Sequence, residues 1–352
     1  MKLLMITQKI DKDDDILGAY HEWARAIAGS FDKFSVLCLY EGKNELPKDI
    51  KVFSLGKENR ESRIKYLKNF YQYIWKLRSE YDAVFVHMNP IYILFGWPIW
   101  RVLHKKIYLW FAHPAWNWQV KLAYILSDRV ITSVPEAFHA RGGKIAVIGQ
   151  GIDPDHFRRL QDIPRDENGI LSLGRISRTK RIHILLAAMK LLKEEGANLP
   201  ALDVVGDPPE ESLKKYLHSI QDFVKNSGLG DIVTFHESVP NSEAHSWYNR
   251  CGIFVNLSPA GYFDKTVLEA MACECLPLVS NKAYESIFPE DLHGILIFTQ
   301  DDAGDLADKL KKVLELPGDK KEEIRKRLRE VVIKNHSIYT LGERILKAIS
   351  SQ

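Results

Sequence analysis

Residues 258–280 read SPAGYFDKTVLEAMACECLPLVS, and this stretch predicts the fold of the second half of the chain. It follows an apolar run, Ile253 to Leu257, that is typical of a buried strand. A turn comes next, then a helix that starts near Asp264 or Thr266, and then a second apolar run from Leu276 to Val279. A strand, a tight loop, a helix and a second strand form the unit that directs the backbone N–H groups of a helix end at an anion. We therefore expect an anion-binding α/β unit here.

One acid, Glu269, lies in the first turns of this helix. A carboxylate can accept hydrogen bonds from both hydroxyls of a ribose, so beside a phosphate-binding helix end it indicates a nucleotide site. The segment Thr266–Glu269 also fits a capping box, in which the carboxylate only reaches back to the N-cap amide. On this stretch alone the two interpretations stand equal.

Length and composition favour two globular domains. The chain has 352 residues, of which 45% are hydrophobic, enough for two buried cores. A formal net charge of +3 does not favour nucleic acid as a partner. The four cysteines lack the paired spacing of a zinc site, so we expect reduced thiols and a cytoplasmic protein.

The first half contains an apolar segment next to basic residues. Residues 91–100 read IYILFGWPIW, about half the length of a membrane span, so no transmembrane helix is predicted. Basic residues follow it, and residues 60–78 are rich in Lys and Arg, which together indicate peripheral contact with the inner face of a membrane. The alternative, which the pattern favours, is a buried helix with a solvated basic end.

Apolar strands and amphipathic helices alternate along the whole chain. In the first half we expect strands at 2–7, 35–40, 83–87, 106–111, 129–132 and 144–148, and helices at 19–28, 63–80 and 118–126. A polar connection follows at 150–167. The second half is expected to have strands at 170–173, 201–205, 231–235, 253–257 and 276–279, and helices at 182–195, 210–226, 242–249, 266–273, 303–316, 320–334 and 339–349. The pattern predicts an α/β protein with two doubly wound, Rossmann-like domains that face each other across a cleft.

A basic loop opens the second half. Gly174 and Arg175 follow the first strand, and Lys180 precedes the helix. Two cations five residues apart beside a helix end can hold a diphosphate from two sides, each charge-assisted bond contributing about 1.5–3 kcal/mol. A solvated basic turn is the alternative. The next strand ends at Gly206, which permits close backbone approach, although a plain turn explains this glycine equally well.

In the order of its motifs the chain resembles glycosyltransferase family 4, whose members are retaining enzymes of the GT-B fold that use nucleotide diphosphate sugars. The resemblance covers nearly the whole chain and is strongest over 170–280. The motifs are Gly174-Arg175 with Lys180 five residues later, Val205-Gly206-Asp207, the loop 234–239, and Val267 to Ala272 followed by Leu276-Pro277. The resemblance implies an acceptor-side domain at 1–155, a donor-binding domain at 165–335, and a terminal helix at 336–352 that crosses back onto the first domain.

The resemblance also implies roles for individual residues. Arg175 and Lys180 would hold the donor diphosphate, Glu269 the ribose, and His113 in WFAHPAW would face the donor sugar, whereas the histidine taken alone is more typical of a structural position. The expected catalytic set is His113, Arg175, Lys180 and Asp264. The expected donor-binding set is Gly18, Gly174, Arg175, Lys180, Gly206, Phe263, Lys265, Thr266 and Glu269.

The chain departs from the family at one acidic position. The family usually has a second glutamate eight residues before Glu269, and this chain has Gly261 there. A subset of the family has an Asp-Lys pair ahead of the helix, as Asp264-Lys265 here. We therefore expect Asp264 or Lys265 to replace part of the missing contact to sugar or phosphate.

The acidic run Asp11 to Asp15 is a weak candidate for a metal site. Asp-x-Asp pairs bind Mg²⁺ or Mn²⁺ in the other major glycosyltransferase fold, but there they follow a strand deep in a single domain. Near the N-terminus a solvated loop or an acceptor-side contact is the better interpretation, so we predict no metal and no cofactor beyond a UDP- or GDP-type donor. The expected acceptor is a glycan, a lipid-linked molecule or a small molecule. The alternatives are a sugar-nucleotide epimerase of the same fold and a non-catalytic protein that binds nucleotide sugars.

Overall fold

The computed structural model describes residues 1–14 and 17–350, and it divides into two compact α/β units. The first unit is Met1–Gly151 together with the segment from Ile338 onward, and the second is Ile152–Ser337. The polar connection expected at 150–167 therefore belongs mostly to the second unit, where Phe157 is buried.

Strands and helices alternate in both units, as the sequence predicts. The strands are β1 Lys2–Ile10, β2 Lys33–Glu41, β3 Lys51–Ser54, β4 Ala83–His87, β5 Lys106–Trp110, β6 Arg129–Thr132, β7 Ile145–Val147, β8 Asp166–Leu173, β9 Leu202–Val205, β10 Val233–His236, β11 Cys251–Asn256 and β12 Leu276–Val279. The α-helices are α1 Ala19–Ala28, α2 Arg63–Lys76, α3 Ile91–Val102, α4 Trp118–Leu126, α5 Ile182–Glu194, α6 Lys214–Asn226, α7 Ala244–Arg250, α8 Lys265–Ala272, α9 His293–Leu296, α10 Ala303–Glu315, α11 Gly318–His336 and α12 Leu341–Ser350.

Each unit is built on one parallel sheet. The first sheet has the order β3-β2-β1-β4-β5-β6-β7, and the second has the order β10-β9-β8-β11-β12. Every strand pair with a register in the described residues is parallel. Parallel strands need crossover connections, and α-helices supply most of them, whereas loops join β2 to β3 and β6 to β7. The predicted α/β class with two doubly wound sheets is confirmed.

The first sheet is covered by helices on both faces. One face packs against α1 and α12 through a core that includes Trp23 and Ile345. The other face packs against α2, α3 and α4 through a core that includes Phe70 and Trp100. Trp23 also donates its indole N–H to the carbonyl of Gly151 at 3.0 Å, which fixes the end of the first unit. The C-terminal helix thus completes the core of the first unit.

The apolar segment at 91–100 lies in α3, a partly buried helix. Ile93 and Trp100 are fully buried, whereas Phe95 and Val102 are exposed. In the part of the chain that the structure describes, no helix is long and apolar enough to cross a bilayer.

Helix α8, which lies in the stretch 258–280, ends before Pro277. α8 ends at Ala272, and Glu274 adopts a left-handed φ of 56° that turns the chain out of the helix. Pro277 does not end the helix but lies inside β12, opposite Phe254 of β11. A proline is tolerated there because β12 is an edge strand, so its missing N–H interrupts no second ladder.

Candidate functional site

The strand order of the second sheet reverses between β8 and β11. From β8 the chain continues to β9 and β10 on one side, and then to β11 and β12 on the other. In open α/β sheets, ligands bind at such a switch point, outside the carboxyl ends of the strands. A small pocket lies there, and its lining includes Gly174, Arg175, Lys180 and Asn256. The two predicted cations therefore lie where this fold forms a ligand site.

The two cations have different surroundings. Arg175 is exposed and has no ion-pair partner among the residues the structure describes. Lys180 is only 18% exposed, pairs with the carboxylate of Asp264, and donates a hydrogen bond to Ser258 Oγ at 3.0 Å. Arg175 can therefore turn toward a ligand, whereas Lys180 is held in one place.

Asp264 is the centre of a small polar network. Its carboxylate accepts hydrogen bonds from Lys180, from the hydroxyl of Ser258 and from Asn256 Nδ2, the last at 2.9 Å. Burial by itself would raise the pKa of Asp264, but the Lys180 charge and these hydrogen bonds outweigh it and lower the pKa to about 2. The sequence predicts that Asp264 or Lys265 replaces part of the missing contact to sugar or phosphate. In this structure Asp264 holds the Lys180 ammonium, and its contact with a substrate stays a prediction.

Asp264→Asn should destabilise the second unit by about 2–3 kcal/mol near pH 7, because it leaves the partly buried Lys180 ammonium without its counter-charge. Because the folded pKa lies below the ordinary value, the stabilisation is complete above pH ~4 and is lost as the pH falls toward about 2. Urea unfolding at pH 7 and at pH 3 measures both effects, and the difference between variant and wild type should shrink at the lower pH.

The matched control is Asp291→Asn. Asp291 forms an exposed, two-pronged ion pair with Arg327, with N–O distances of 2.8 and 2.7 Å. Exposed pairs contribute only about 0–1 kcal/mol, so this variant should unfold almost like wild type. Equal unfolding of the Asp264 and Asp291 variants at pH 7 would contradict a structural role for the Lys180–Asp264 pair.

Glu269 is buried and is held by three side chains. Its carboxylate accepts hydrogen bonds from Asn241 Nδ2 at 3.1 Å and from the hydroxyl of Tyr248 at 3.2 Å, and it pairs with Lys265 Nζ at 3.2 Å. The helix begins at Lys265 with Asp264 as its N-cap residue, and no side chain forms a cap hydrogen bond. The capping-box interpretation of Glu269 is therefore wrong. Burial and the Glu269 charge together raise the pKa of Tyr248 well above its ordinary value, so the phenol stays a donor.

The other residues expected near α8 have different surroundings. Thr266 Oγ1 is buried and has no hydrogen-bond partner among the described residues. Phe263 is buried and stacks on Tyr284 with ring centroids 4.9 Å apart, and Tyr284 donates its hydroxyl to the carbonyl of Asp264 at 2.8 Å. This packing fixes the loop before α8, and a donor contact of Phe263 stays a prediction.

Gly174 and Gly206 lie at strand ends and have positive φ angles that favour glycine. A Cβ on Gly206 would lie 2.0 Å from the carbonyl oxygen of Gly174, and its φ is 147°. Gly174 has a φ of 139°, but a Cβ there would meet nothing within 4 Å. The backbone that approaches Gly206 closely is therefore that of Gly174, at the end of the neighbouring strand β8. Gly261 has a φ of 89°, so an acid at this position would need a strained turn.

Gly18 and His113 lie in the first unit. A Cβ on Gly18 would lie 2.5 Å from the carbonyl oxygen of Asp14, so the loop before α1 itself requires this glycine. His113 follows β5, is half-buried, and its Nδ1 accepts the N–H of Ala115 at 3.0 Å. Burial lowers the pKa of His113, so the neutral ring carries its proton on Nε2. The predicted role of Gly18 in donor binding and the predicted catalytic role of His113, facing the donor sugar, stay predictions.

The first sheet also reverses its order, between β1 and β4, and His87 lies there. Its Nδ1 is 3.3 Å from the hydroxyl of Thr7, and its ring centroid is 4.1 Å from that of Tyr20. Burial lowers the pKa of His87 from 6.5 to about 3, and its Nε2 has no partner among the described residues. The sequence placed His87 at a strand end but could not show its burial.

The acidic run near the N-terminus is paired with a lysine. Asp11 and Asp14 both contact Lys9 Nζ, at 3.0 and 2.5 Å. Asp15 lies outside the described residues. Within residues 1–14 and 17–350, no group of three His, Cys, Asp or Glu side chains is placed to hold a metal ion.

The second unit carries the sequence of a known family. Residues 154–334, just over half of the chain, match the model of the glycosyl transferases group 1. The chain belongs to this family. The matched segment contains Arg175, Lys180, Asp264 and Glu269, so the membership rests on the unit that carries the candidate site.

Three curated relatives match parts of the chain. The D-inositol 3-phosphate glycosyltransferase of Frankia alni is 28% identical over 196 residues, which are 52% of this chain and 47% of the relative. The protein of the same name from Streptosporangium roseum is 25% identical over 166 residues, 42% of this chain and 38% of the relative. The mannosylfructose-phosphate synthase of Agrobacterium fabrum is 27% identical over 169 residues, 43% of this chain and 37% of the relative. The chain spans less than half the length of these relatives.

Solved structures match the whole chain. HepE of Anabaena in complex with UDP-glucose has a TM-score of 0.78 at 15% identity, with full coverage of both chains. The sucrose-phosphate synthase of Thermosynechococcus elongatus has a TM-score of 0.78 at 18% identity and covers 99% of this chain and 98% of its own. At these identities the likeness shows the fold, and the predicted GT-B class is confirmed.

Proposed function

We propose that this protein is a glycosyltransferase that moves a sugar from a nucleotide diphosphate sugar to an acceptor hydroxyl. The observation that carries the proposal is the pair of Arg175 and Lys180 at the switch point of the second sheet, in the unit that matches the family. Further support comes from HepE, which was solved with UDP and with UDP-glucose. We propose the same class of donor here, of UDP or GDP type.

In the proposed reaction, the bond between the anomeric carbon and the diphosphate oxygen breaks, and a bond from that carbon to the acceptor oxygen forms. Arg175, Lys180 and the amino end of α8 would neutralise the charge that develops on the leaving diphosphate. The departing phosphate oxygen takes the proton of the acceptor hydroxyl, so the products are the glycoside and the protonated nucleoside diphosphate. Retention of the anomeric configuration and the contact of His113 with the donor sugar belong to the proposal through the resemblance to family 4.

Asp264 has a supporting part in this scheme. With a pKa of about 2, its carboxylate stays charged at any working pH and keeps the Lys180 ammonium in place. A fixed cation costs less to organise when the diphosphate arrives. Asp264 is therefore a positioning residue for the diphosphate in our proposal.

Glu269 is proposed to bind the ribose hydroxyls. Its burial supplies the low-dielectric surroundings in which such hydrogen bonds are strong, and each carboxylate oxygen can accept more than one bond. Glu269→Gln should weaken the binding of the nucleoside diphosphate about tenfold, because a hydrogen bond to a charged group contributes about 1.5–3 kcal/mol. Isothermal titration with uridine or guanosine diphosphate measures this loss.

A comparison with 2′,3′-dideoxy nucleoside diphosphate separates ribose binding from a purely structural role. Wild type should bind the ribose form more tightly than the dideoxy form, and Glu269→Gln should remove most of this preference. Tyr248→Phe is the matched control, because it deletes one donor to Glu269 but keeps the carboxylate charge. An unchanged preference in Glu269→Gln would show that this carboxylate only stabilises the fold.

Product analysis tests the proposed activity itself. Nucleotide sugar is incubated with the protein alone and with a panel of glycan, lipid-linked and small-molecule acceptors. A new glycoside that forms only with an acceptor supports the transferase. Conversion of the donor sugar without an acceptor would indicate an epimerase, and donor binding without any conversion would indicate a non-catalytic binding protein.

A further inference from the structure

A cavity of about 660 Å³ lies in the first unit, at the carboxyl edge of its sheet. It is formed by residues that end or follow β2, β3 and β4 and by the first turns of α2 and α3. Most of its wall is apolar, and the wall includes Leu55, Tyr66, Leu67, Phe70, Ile91 and Phe95. Small-molecule sites commonly have volumes of about 300–1,000 Å³ and mainly apolar walls. The cavity is therefore large enough for a ligand, and its wall favours a hydrocarbon chain.

Cations lie at this cavity without acidic partners. Lys57 and Arg63 line it, both are exposed, and neither has an ion-pair partner among the described residues. The acid in the lining, Glu61, is paired with Lys65 at 3.6 Å. The amino end of α2 lies in the same wall, where Ser62 caps the helix and no acidic residue occupies the first turn. A positive helix end next to two cations favours an anion.

Exposed apolar residues are concentrated on the three helices that cover this face of the sheet. Of thirteen large hydrophobic residues exposed in the described chain, eight lie on three neighbouring helices of the first unit: Ile64, Tyr71 and Trp75 on α2, Phe95 and Val102 on α3, and Trp118, Leu122 and Ile125 on α4. Such clustering marks an interaction surface, whereas single exposed hydrophobic residues are normal.

The helix α2 has the character of a helix that lies on a bilayer. Ile64, Tyr71 and Trp75 recur at helical spacing and are 81%, 36% and 52% exposed. From Arg63 to Lys76, both included, the helix has four Lys or Arg residues and no Asp or Glu. Apolar and aromatic residues combined with basic ones are typical of helices that bind anionic membrane surfaces.

We propose that this cavity binds a membrane lipid with a phosphate head group. The hydrocarbon chain lies against Leu67 and Phe70, the phosphate lies at Lys57 and Arg63, and the exposed side chains of α2 enter the bilayer surface. The role of this lipid as the acceptor in sugar transfer rests on the proposed function. The binding of the lipid does not depend on it, and it is tested without donor.

The first test uses dodecyl phosphate, with inorganic phosphate and dodecanol as comparisons, in titrations of the full chain. Dodecyl phosphate should bind most tightly, and Lys57→Gln with Arg63→Gln should weaken it at least ~10-fold, since charge-assisted contacts are lost. Leu67→Trp, which fills the cavity, should weaken it as well. Binding of inorganic phosphate as tight as that of dodecyl phosphate, or equal binding by the Lys57/Arg63 variant, would overturn the proposal.

The matched control is Lys214→Gln with Lys215→Gln, which removes two exposed lysines from α6 in the second unit and should leave dodecyl phosphate binding unchanged. Circular dichroism and thermal unfolding of every variant confirm that it is folded. A loss in the control as large as in the Lys57/Arg63 variant would show an unspecific charge effect and overturn the proposal.

The second test is co-sedimentation with vesicles of phosphatidylcholine, with and without phosphatidylglycerol. The chain should sediment with the anionic vesicles, and Ile64→Ser with Trp75→Ser should reduce the bound fraction several-fold. No sedimentation with anionic vesicles would overturn the proposal. If nucleoside diphosphate binding persists in that case, only the lipid site fails. If wild type sediments but binds no nucleoside diphosphate, the proposed transferase fails instead.

Discussion

Replacement of both Arg175 and Lys180 by alanine should lower the affinity for a nucleoside diphosphate by at least ~100-fold, because each charge-assisted contact contributes about 1.5–3 kcal/mol. The two side chains line one pocket at the ends of β8 and β11, so a diphosphate that binds there meets both. The loss should be far smaller for the nucleoside monophosphate, which presents fewer charges. Isothermal titration of both ligands measures the difference.

The single variants should not be equivalent. Arg175→Ala removes an exposed cation and nothing else, whereas Lys180→Ala also leaves the Asp264 carboxylate without its counter-charge next to the pocket. That carboxylate then repels the diphosphate. Lys180→Ala should therefore cost more than Arg175→Ala, and adding Asp264→Ala to Lys180→Ala should recover part of the lost affinity.

Arg178→Ala is the matched control for the basic loop. Arg178 lies in the same loop and is exposed, but its guanidinium lies over the ring of Tyr216, 5.6 Å from the ring centroid. Its removal should leave nucleotide affinity nearly unchanged. Equal losses for Arg178→Ala and Arg175→Ala, or equal affinities of wild type for the mono- and diphosphate, would contradict the diphosphate clamp.

Much of the fold could be predicted from hydrophobic periodicity. The helices α1 and α4 and the strands β4 and β6 have the bounds that their patterns predict. Strand β3 could not be predicted, because its segment 51–54 (KVFS) has only four residues. It lies at the edge of the sheet, and none of its residues is fully buried. A strand of this kind is defined by its pairing with β2, which is a tertiary contact that no local pattern contains.

The site could be predicted only in part, because its contacts join distant segments. Motif order placed Arg175 and Lys180 in a loop beside a helix, and the pocket at β8 and β11 contains both. The partner of Lys180, Asp264, lies 84 residues away, and Tyr248 contacts Glu269 across 21 residues. Adjacency of β8 and β11 in the sheet creates the first of these contacts, and sequence spacing alone does not reveal which strands are neighbours.

Gly206→Ala should destabilise the second unit by at least about 4 kcal/mol, because it combines a steric overlap with a disfavoured backbone angle. The added Cβ would lie 2.0 Å from the carbonyl oxygen of Gly174, far inside any tolerated contact, and φ at this position is 147°. The neighbouring backbone cannot yield easily, since Gly174 donates its N–H to Val205 and Gly206 donates to His236, both at 3.0 Å. Urea unfolding followed by circular dichroism measures the loss.

Gly174→Ala is the control that separates steric overlap from backbone strain. Its φ of 139° resembles that of Gly206, but the new Cβ would meet nothing within 4 Å. Backbone strain alone costs about 1–3 kcal/mol, so Gly174→Ala should stay folded at temperatures where Gly206→Ala unfolds. Equal destabilisation by the two substitutions would mean that strain alone selects glycine at both positions. A larger loss at Gly206 shows that the close packing of the β8 and β9 ends, on which the shape of the candidate site depends, requires a residue without a side chain.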